Sequence, residues 1–334
     1  MVEFEPGRIG TGEVLYARHG ALGRVRLNRP KAINALTHDM IRSMLAQLED
    51  WAADDTVEAV AIEGAGERGL CAGGDVRAIR EALLDGVGDP EAFWADEYRL
   101  NNLVDVYPKP FVAFMDGVTM GGGVGVSAHG SLRLATERSV IAMPETAIGF
   151  FPDVGGLYLL SRAPGETGTH LALTGLPVDG PGAVYCGLAD AVVPSAEIPA
   201  IIERLAAGEP AGDFAPAPEA AIAADRAWID ECYAGDDPVA ILDALRERHP
   251  ATAAVLAARS PFSVAVTLAA IRRARDLDLP GVLAQDLRLG RAFAAGPDFA
   301  EGVRAVLVDR DNAPRWRPAT LAEVDYDAVR ALIS

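Results

Sequence analysis

The segment Pro144-Glu145-Thr146-Ala147-Ile148-Gly149-Phe150-Phe151-Pro152-Asp153-Val154-Gly155-Gly156 sets two carboxylates on either side of an apolar, Gly- and Pro-rich stretch. A carboxylate beside Ile148, Phe150 and Phe151 is partly stripped of water, which raises its pKa and suits nucleophilic or acid–base work. Two solvated loop acids are the plain alternative, and composition alone does not separate the two. A pair of Gly-rich loops supplies complementary chemistry. Cys71-Ala72-Gly73-Gly74-Asp75 leads into a short helix, and Met120-Gly121-Gly122-Gly123 opens another. Helix N-termini carry unsatisfied N–H groups and a partial positive charge, so each loop can receive a developing negative oxygen. Glycine lets the backbone approach a ligand with no Cβ in the way. Two such loops converging would form a two-donor oxyanion hole, worth about 3–4 kcal/mol per donor in the transition state. Each loop taken alone reads as a tight turn.

Competing chemistries find less support. Gly125-Val126-Ser127-Ala128-His129 stops one glycine short of a nucleophile elbow, so Ser127 reads as a small packed helix residue. Gly123-Val124-Gly125-Val126-Ser127-Ala128 imitates a dinucleotide fingerprint. The loop Asp116–Met120 separates it from its strand, however, and a strand pair follows where a second βαβ crossover is required. The 5 histidines are scattered with no H-E-x-x-H, which predicts no metal site. There is no phosphate-binding P-loop, and Lys31 and Lys109 are the only lysines for Schiff-base chemistry.

These loops need elements to hold them. Residues 13–28 alternate around a Gly20–Gly23 turn and predict a β-hairpin. Asn34–Asp50 predicts a helix with Thr37 as N-cap. Strands follow at Val57–Glu63 and Pro110–Met115, each leading through a Gly-rich loop to a helix, and Leu132–Ala142 reads as a strand pair. Helical patterns dominate from Ala163, with a short strand at Leu188–Val193. The expected organisation is an α/β core over 1–207, a Gly/Pro/Ala-rich linker over 208–220 and a helical region over 221–334, with helices near 221–232, 238–248, 261–276, 280–294 and 298–308.

The whole chain has 334 residues, 50% hydrophobic and 23% charged, with a net charge of −18. That composition excludes intrinsic disorder and argues against nucleic-acid binding, which needs a basic face. No run approaches the ~18 apolar residues of a membrane span. The acidic N-terminus lacks the layout of a signal peptide, and Cys71, Cys186 and Cys232 fit neither a disulfide framework nor a zinc site. A cytoplasmic location is therefore expected.

Several segments together resemble the crotonase (enoyl-CoA hydratase/isomerase) superfamily, most closely its hydrolase branch. They are Asn28–Leu36, Leu70–Arg77, Asp116–Gly125, Met143–Gly156 and Asp298–Asp311. The resemblance implies a crotonase-like spiral of ββα turns with the helical C-terminal region attached. It also implies an acyl-CoA substrate whose thioester oxygen is held by the amides of Gly74 and Gly122. Hydratases of the superfamily use two glutamates; one corresponds to Glu145 and the other falls at Gly125, where the carboxylate is missing. The hydrolase branch uses carboxylates matching Glu145 and Asp153, with a substrate contact matching Glu97 and another at Gly122. Hydrolysis of a short branched β-hydroxyacyl-CoA, in valine breakdown, is thereby implied, with hydration or isomerisation as the alternative and a non-catalytic acyl-CoA binder as a third reading. CoA contacts are expected at Lys31 and Ala32, and at Arg77 and Arg310, with Arg29 and Arg80 as further candidates for its phosphates. No cofactor is expected beyond the CoA of the substrate. A homotrimer or hexamer is implied, and the C-terminal helices would cover either their own or a neighbouring subunit.

Overall fold

A computed structural model describes residues 2–334. The strands are β1 (Glu5–Pro6), β2 (Val14–His19), β3 (Leu22–Leu27), β4 (Ala59–Gly64), β5 (Gly69–Cys71), β6 (Phe111–Met115), β7 (Val118–Met120), β8 (Leu132–Ala135), β9 (Val140–Ala142) and β10 (Ala191–Val192). They form a seven-stranded sheet, β1-β2-β3-β4-β6-β8-β10, and a three-stranded sheet, β5-β7-β9. β1 to β3 are antiparallel neighbours, and β3, β4, β6, β8 and β10 run parallel. Consecutive strands β4 and β5, β6 and β7, and β8 and β9 each place one member in the large sheet and one in the small. That repeated step is a spiral of ββα turns, an α/β fold.

Local chemistry explains the elements. β4 and β6 are near-continuous apolar runs because central parallel strands are buried on both faces. The hairpin turn is tighter than the spacing predicts: β3 begins at Leu22, and Gly23 is already paired with Arg18. The helix predicted from Asn34 starts at His38, where the Thr37 hydroxyl accepts the Met40 N–H. Ile33 and Asn34 precede it in the left-handed region, at φ +47 and +55. The Asn34 amide satisfies the carbonyls of Ala65 and Gly69 and accepts from the Arg29 N–H. β7 lies inside a segment expected to be loop.

The chain divides into two compact units. The first comprises residues 1–74, 96–141 and 178–221 and holds most of the sheet strands. Its core sets Leu22, Ala59, Ala61, Val112, Phe114 and Leu134 against Ile201, Ile202 and Leu205 of the helix Ile198–Ala206. The second comprises residues 75–95, 142–177 and 222–334. Its helical core packs Leu173, Ile229, Tyr233, Leu245, Leu256 and Leu268. Residues 208–220, expected as a linker, cluster with the first unit, and residues 75–95 and 142–177, expected in the core, cluster with the helical region. Helices at Pro250–Ala257 and Tyr326–Ile333 add to the predicted set.

Candidate active site

In the first unit the two Gly-rich loops meet. The Leu36 N–H donates to the Gly73 carbonyl at 2.8 Å, and Leu36 bridges to Gly74, which fixes the first loop. Gly122 is the first residue of the helix Gly122–Gly125, so its N–H has no intrahelical acceptor. A Cβ at Gly122 would stand 3.2 Å from the Gly74 nitrogen and 2.6 Å from Oε1 of Glu97. A side chain at position 122 would therefore crowd both the Gly74 nitrogen and the Glu97 carboxylate, and only glycine leaves that space open. Glu97 is 2% exposed on the helix Pro90–Asp105, whereas its neighbour Asp96 turns to His38 Nε2 at 2.7 Å. Burial, with the Glu97 charge acting in the same direction, pushes the Cys71 thiol up to about 12, which makes it a neutral packing group. The Ser127 hydroxyl donates to the Gly123 carbonyl at 2.6 Å, as a packed helix residue does.

Lys31 and Ala32 sit exposed on a short 3-10 turn, Pro30–Ala32. Arg29 is engaged elsewhere: its Nε pairs with Glu13 at 3.0 Å and its Nη1 donates to the Ala35 carbonyl.

In the second unit Glu145 opens a 3-10 turn, Glu145–Ile148, that Gly149 ends at φ +71. Glu145 and Asp153 are 7% and 6% exposed, so the two-solvated-acids alternative does not hold. Between them Phe150 and Phe151 join an aromatic cluster. Phe150 stacks on Trp94 at 5.4 Å and meets Phe293 and Phe299 at 5.3 Å. The turn is pinned to the helix Asp298–Val303 by two close approaches. A Cβ on Gly149 would reach the Asp298 carbonyl oxygen, and one on Gly302 would reach the Ile148 backbone.

Two of the predicted arginines of this unit bind their own chain. Arg77 donates to the Leu307 carbonyl and Arg80 to the Ala300 carbonyl, tying the helix Val76–Asp85 to the C-terminal segment. Arg310 is exposed, with φ +59.

One buried acid was not anticipated. Asp286, on the helix Leu279–Ala295, accepts the Gly155 N–H at 2.9 Å. Burial pushes its carboxyl well above the usual carboxylate range, and the nearby Asp153 charge pushes it the same way. The sequence holds a signal for it: Val282, Leu283, Leu289, Gly290 and Phe293 are all buried, and their spacing puts position 286 on the same inward face. Among the described residues no cluster of His, Cys, Asp and Glu could hold a metal ion.

An amide pair that meets a buried carboxylate, on a spiral of ββα turns, defines an acyl-group enzyme of the crotonase type. The model of the family described as enoyl-CoA hydratase/isomerase matches residues 22–333, and the chain belongs to that family. Among curated relatives, it is 41% identical to the mitochondrial 3-hydroxyisobutyryl-CoA hydrolase of Danio rerio, covering 95% of this chain and 88% of the relative. Against that of Homo sapiens it is 40% identical over 93% and 86%. Among solved structures, a carnitinyl-CoA dehydratase from Mycobacterium thermoresistibile superposes with a TM-score of 0.92 at 47% identity, covering 97% of each chain. An enoyl-CoA hydratase from Rhodobacter sphaeroides gives 0.91 at 37%, with the same coverage.

The relatives' names correct the expected location. They are mitochondrial proteins, and the cytoplasmic expectation is withdrawn. Cys71, Cys186 and Cys232 are buried and form no disulfide with one another.

Proposed function

We propose that this protein hydrolyses a short branched β-hydroxyacyl-CoA thioester, 3-hydroxyisobutyryl-CoA, to the free acid and CoA, in valine degradation. The observation that carries the reading is a buried Glu145 and a buried Asp153 on one segment, with glycine at position 125. The names of the curated relatives support the same substrate.

In this mechanism the amides of Gly74 and Gly122 receive the thioester oxygen as it gains charge. A carboxylate oxygen of Glu145 attacks the carbonyl carbon, the C–S bond breaks, and its electron pair leaves on the CoA sulfur. Water then attacks the Glu145 carbonyl carbon of the mixed anhydride, the bond from that carbon to the bridging oxygen breaks, the acid leaves with that oxygen, and the proton released goes to the CoA thiolate, restoring Glu145. Asp153 orients that water or the substrate hydroxyl, and Glu97 holds the hydroxyl. Lys31, Ala32, Arg77 and Arg310 lie along the CoA moiety, which enters as part of the substrate; the steps as written use no other cofactor. The family resemblance supports a homotrimer or hexamer as the working assembly, which sedimentation velocity measures.

A hydratase is the second reading, favoured by the names of the two solved structures. One assay separates them. The proposal predicts thiol release from 3-hydroxyisobutyryl-CoA at a rate far above any hydration of crotonyl-CoA; hydration without thiol release would overturn it. A single turnover in heavy-oxygen water tests the anhydride. Label found in the Glu145 carboxylate supports it, and label confined to the product acid makes Glu145 a general base.

A further inference from the structure

The turn that carries Asp153 is strained. Val154 sits at φ +53 and Gly155 at +73, and the left-handed region is unfavourable for a β-branched residue. Hydrogen bonds from the Gly155 and Gly156 N–H groups help hold the turn. The Gly156 N–H donates to the Asp153 carbonyl at 2.7 Å, and the Gly155 N–H donates to Oδ2 of Asp286 at 2.9 Å. Asp286 is 0% exposed, and its Oδ1 has no hydrogen-bond partner among the described residues. A leucine at this inward position would serve the helix packing better than a carboxyl group. The carboxyl instead fixes the backbone from which Asp153 projects.

The charges bearing on Asp286 are few. Asp153 acts from the turn and Arg288 from the next part of its own helix. On the other elements packed against that helix, the Tyr158 ring is covered by Arg162, and Asp298 is engaged by the Ser260 hydroxyl and the Arg317 N–H. Glu301 pairs with Arg304, and Asp327 with Arg330. A sealed carboxylate beside another carboxylate, with one N–H donor, has its pKa pushed up, because burial and the neighbouring charge both favour the protonated form.

We infer that Asp286 is a positioning residue for Asp153: its carboxyl accepts the Gly155 N–H and so anchors, from behind, the strained turn that carries Asp153. The inference rests on the role given to Asp153 above. Ionising Asp286 would set two negative charges against each other and loosen the turn, so activity falls on the alkaline side as its proton leaves.

The test compares wild type, Asp286→Ala and Asp286→Asn in two measurements on the full-length protein. In thiol release from 3-hydroxyisobutyryl-CoA, Asp286→Ala lowers kcat on the order of 10–100-fold with little change in KM. Asp286→Asn, which still accepts the Gly155 N–H, recovers most of that loss, and its kcat–pH profile lacks the alkaline limb of the wild type. Profiles that superimpose, or equal losses in both variants, overturn the inference. The second measurement is thermal unfolding against pH. The native protein holds a proton that the unfolded chain releases above about pH 4, so wild type loses stability relative to Asp286→Asn as pH rises from there. A pH-independent gap between the two overturns the inference. If the wild type releases no thiol, the hydrolase reading fails, while the unfolding arm still decides whether Asp286 is protonated where it anchors the turn.

Discussion

The site turns on atoms that a single methyl group would disturb. At Gly122 a Cβ would fall 2.6 Å from Oε1 of Glu97 and 3.2 Å from the Gly74 nitrogen. Gly122→Ala is therefore expected to reduce kcat by about 10²–10³-fold, the usual effect of spoiling an oxyanion donor, with the circular dichroism spectrum unchanged. An alanine variant with wild-type kcat would show that the point where these groups converge does not receive the substrate oxygen. Much of this was legible in the sequence, because glycine runs at helix starts advertise open N–H groups. Glu97 and Asp286 were harder to find. Glu97 lies in the charged run Asp96-Glu97-Tyr98 and emerges only through the family resemblance. Asp286 resembles any helical acid until its position among Val282, Leu283 and Leu289 is counted.

At the scale of elements, the segment from Glu145 to Asp153 is rigid because its turns are pressed against a neighbouring helix. Gly149 lies at φ +71 and Gly302 sits against the Ile148 backbone. Gly302→Ala must push the two backbones apart and is expected to destabilise the protein by about 2–4 kcal/mol, lowering Tm by several degrees in calorimetry. An unchanged Tm would mean the contact is slack. The sequence predicts elements well where periodicity is strong, as for the helix capped by Thr37, and less well where it is not. β7 is only Val118–Met120, too short to show alternation. The helix Pro250–Ala257 is apolar almost all round, so it presents no amphipathic stripe. The division into units was also hidden, since residues 75–95 and 142–177 join the helical region through contacts between segments distant in sequence.

For the molecule as a whole, the helical unit contains its own acid sensitivity. His170 is 6% exposed and its Nδ1 meets the Tyr233 hydroxyl at 3.0 Å. Burial lowers its pKa to about 4. Its unfolded value is near 6.5, so between those limits the unfolded chain binds the extra proton and stability falls as pH drops. Urea unfolding at pH 7 and pH 4.5 should differ by on the order of 2–3 kcal/mol from this residue, and His170→Gln should reduce that difference. An equal pH dependence in the variant would place the sensitivity elsewhere. The alternation of strands between two sheets gives the family fold, and the side chains on it decide the reaction. The most direct test of that decision is thiol release from 3-hydroxyisobutyryl-CoA by wild type and Glu145→Gln. The account predicts rapid release by the wild type and a loss on the order of 10³-fold in the variant; turnover that survives the substitution would contradict it.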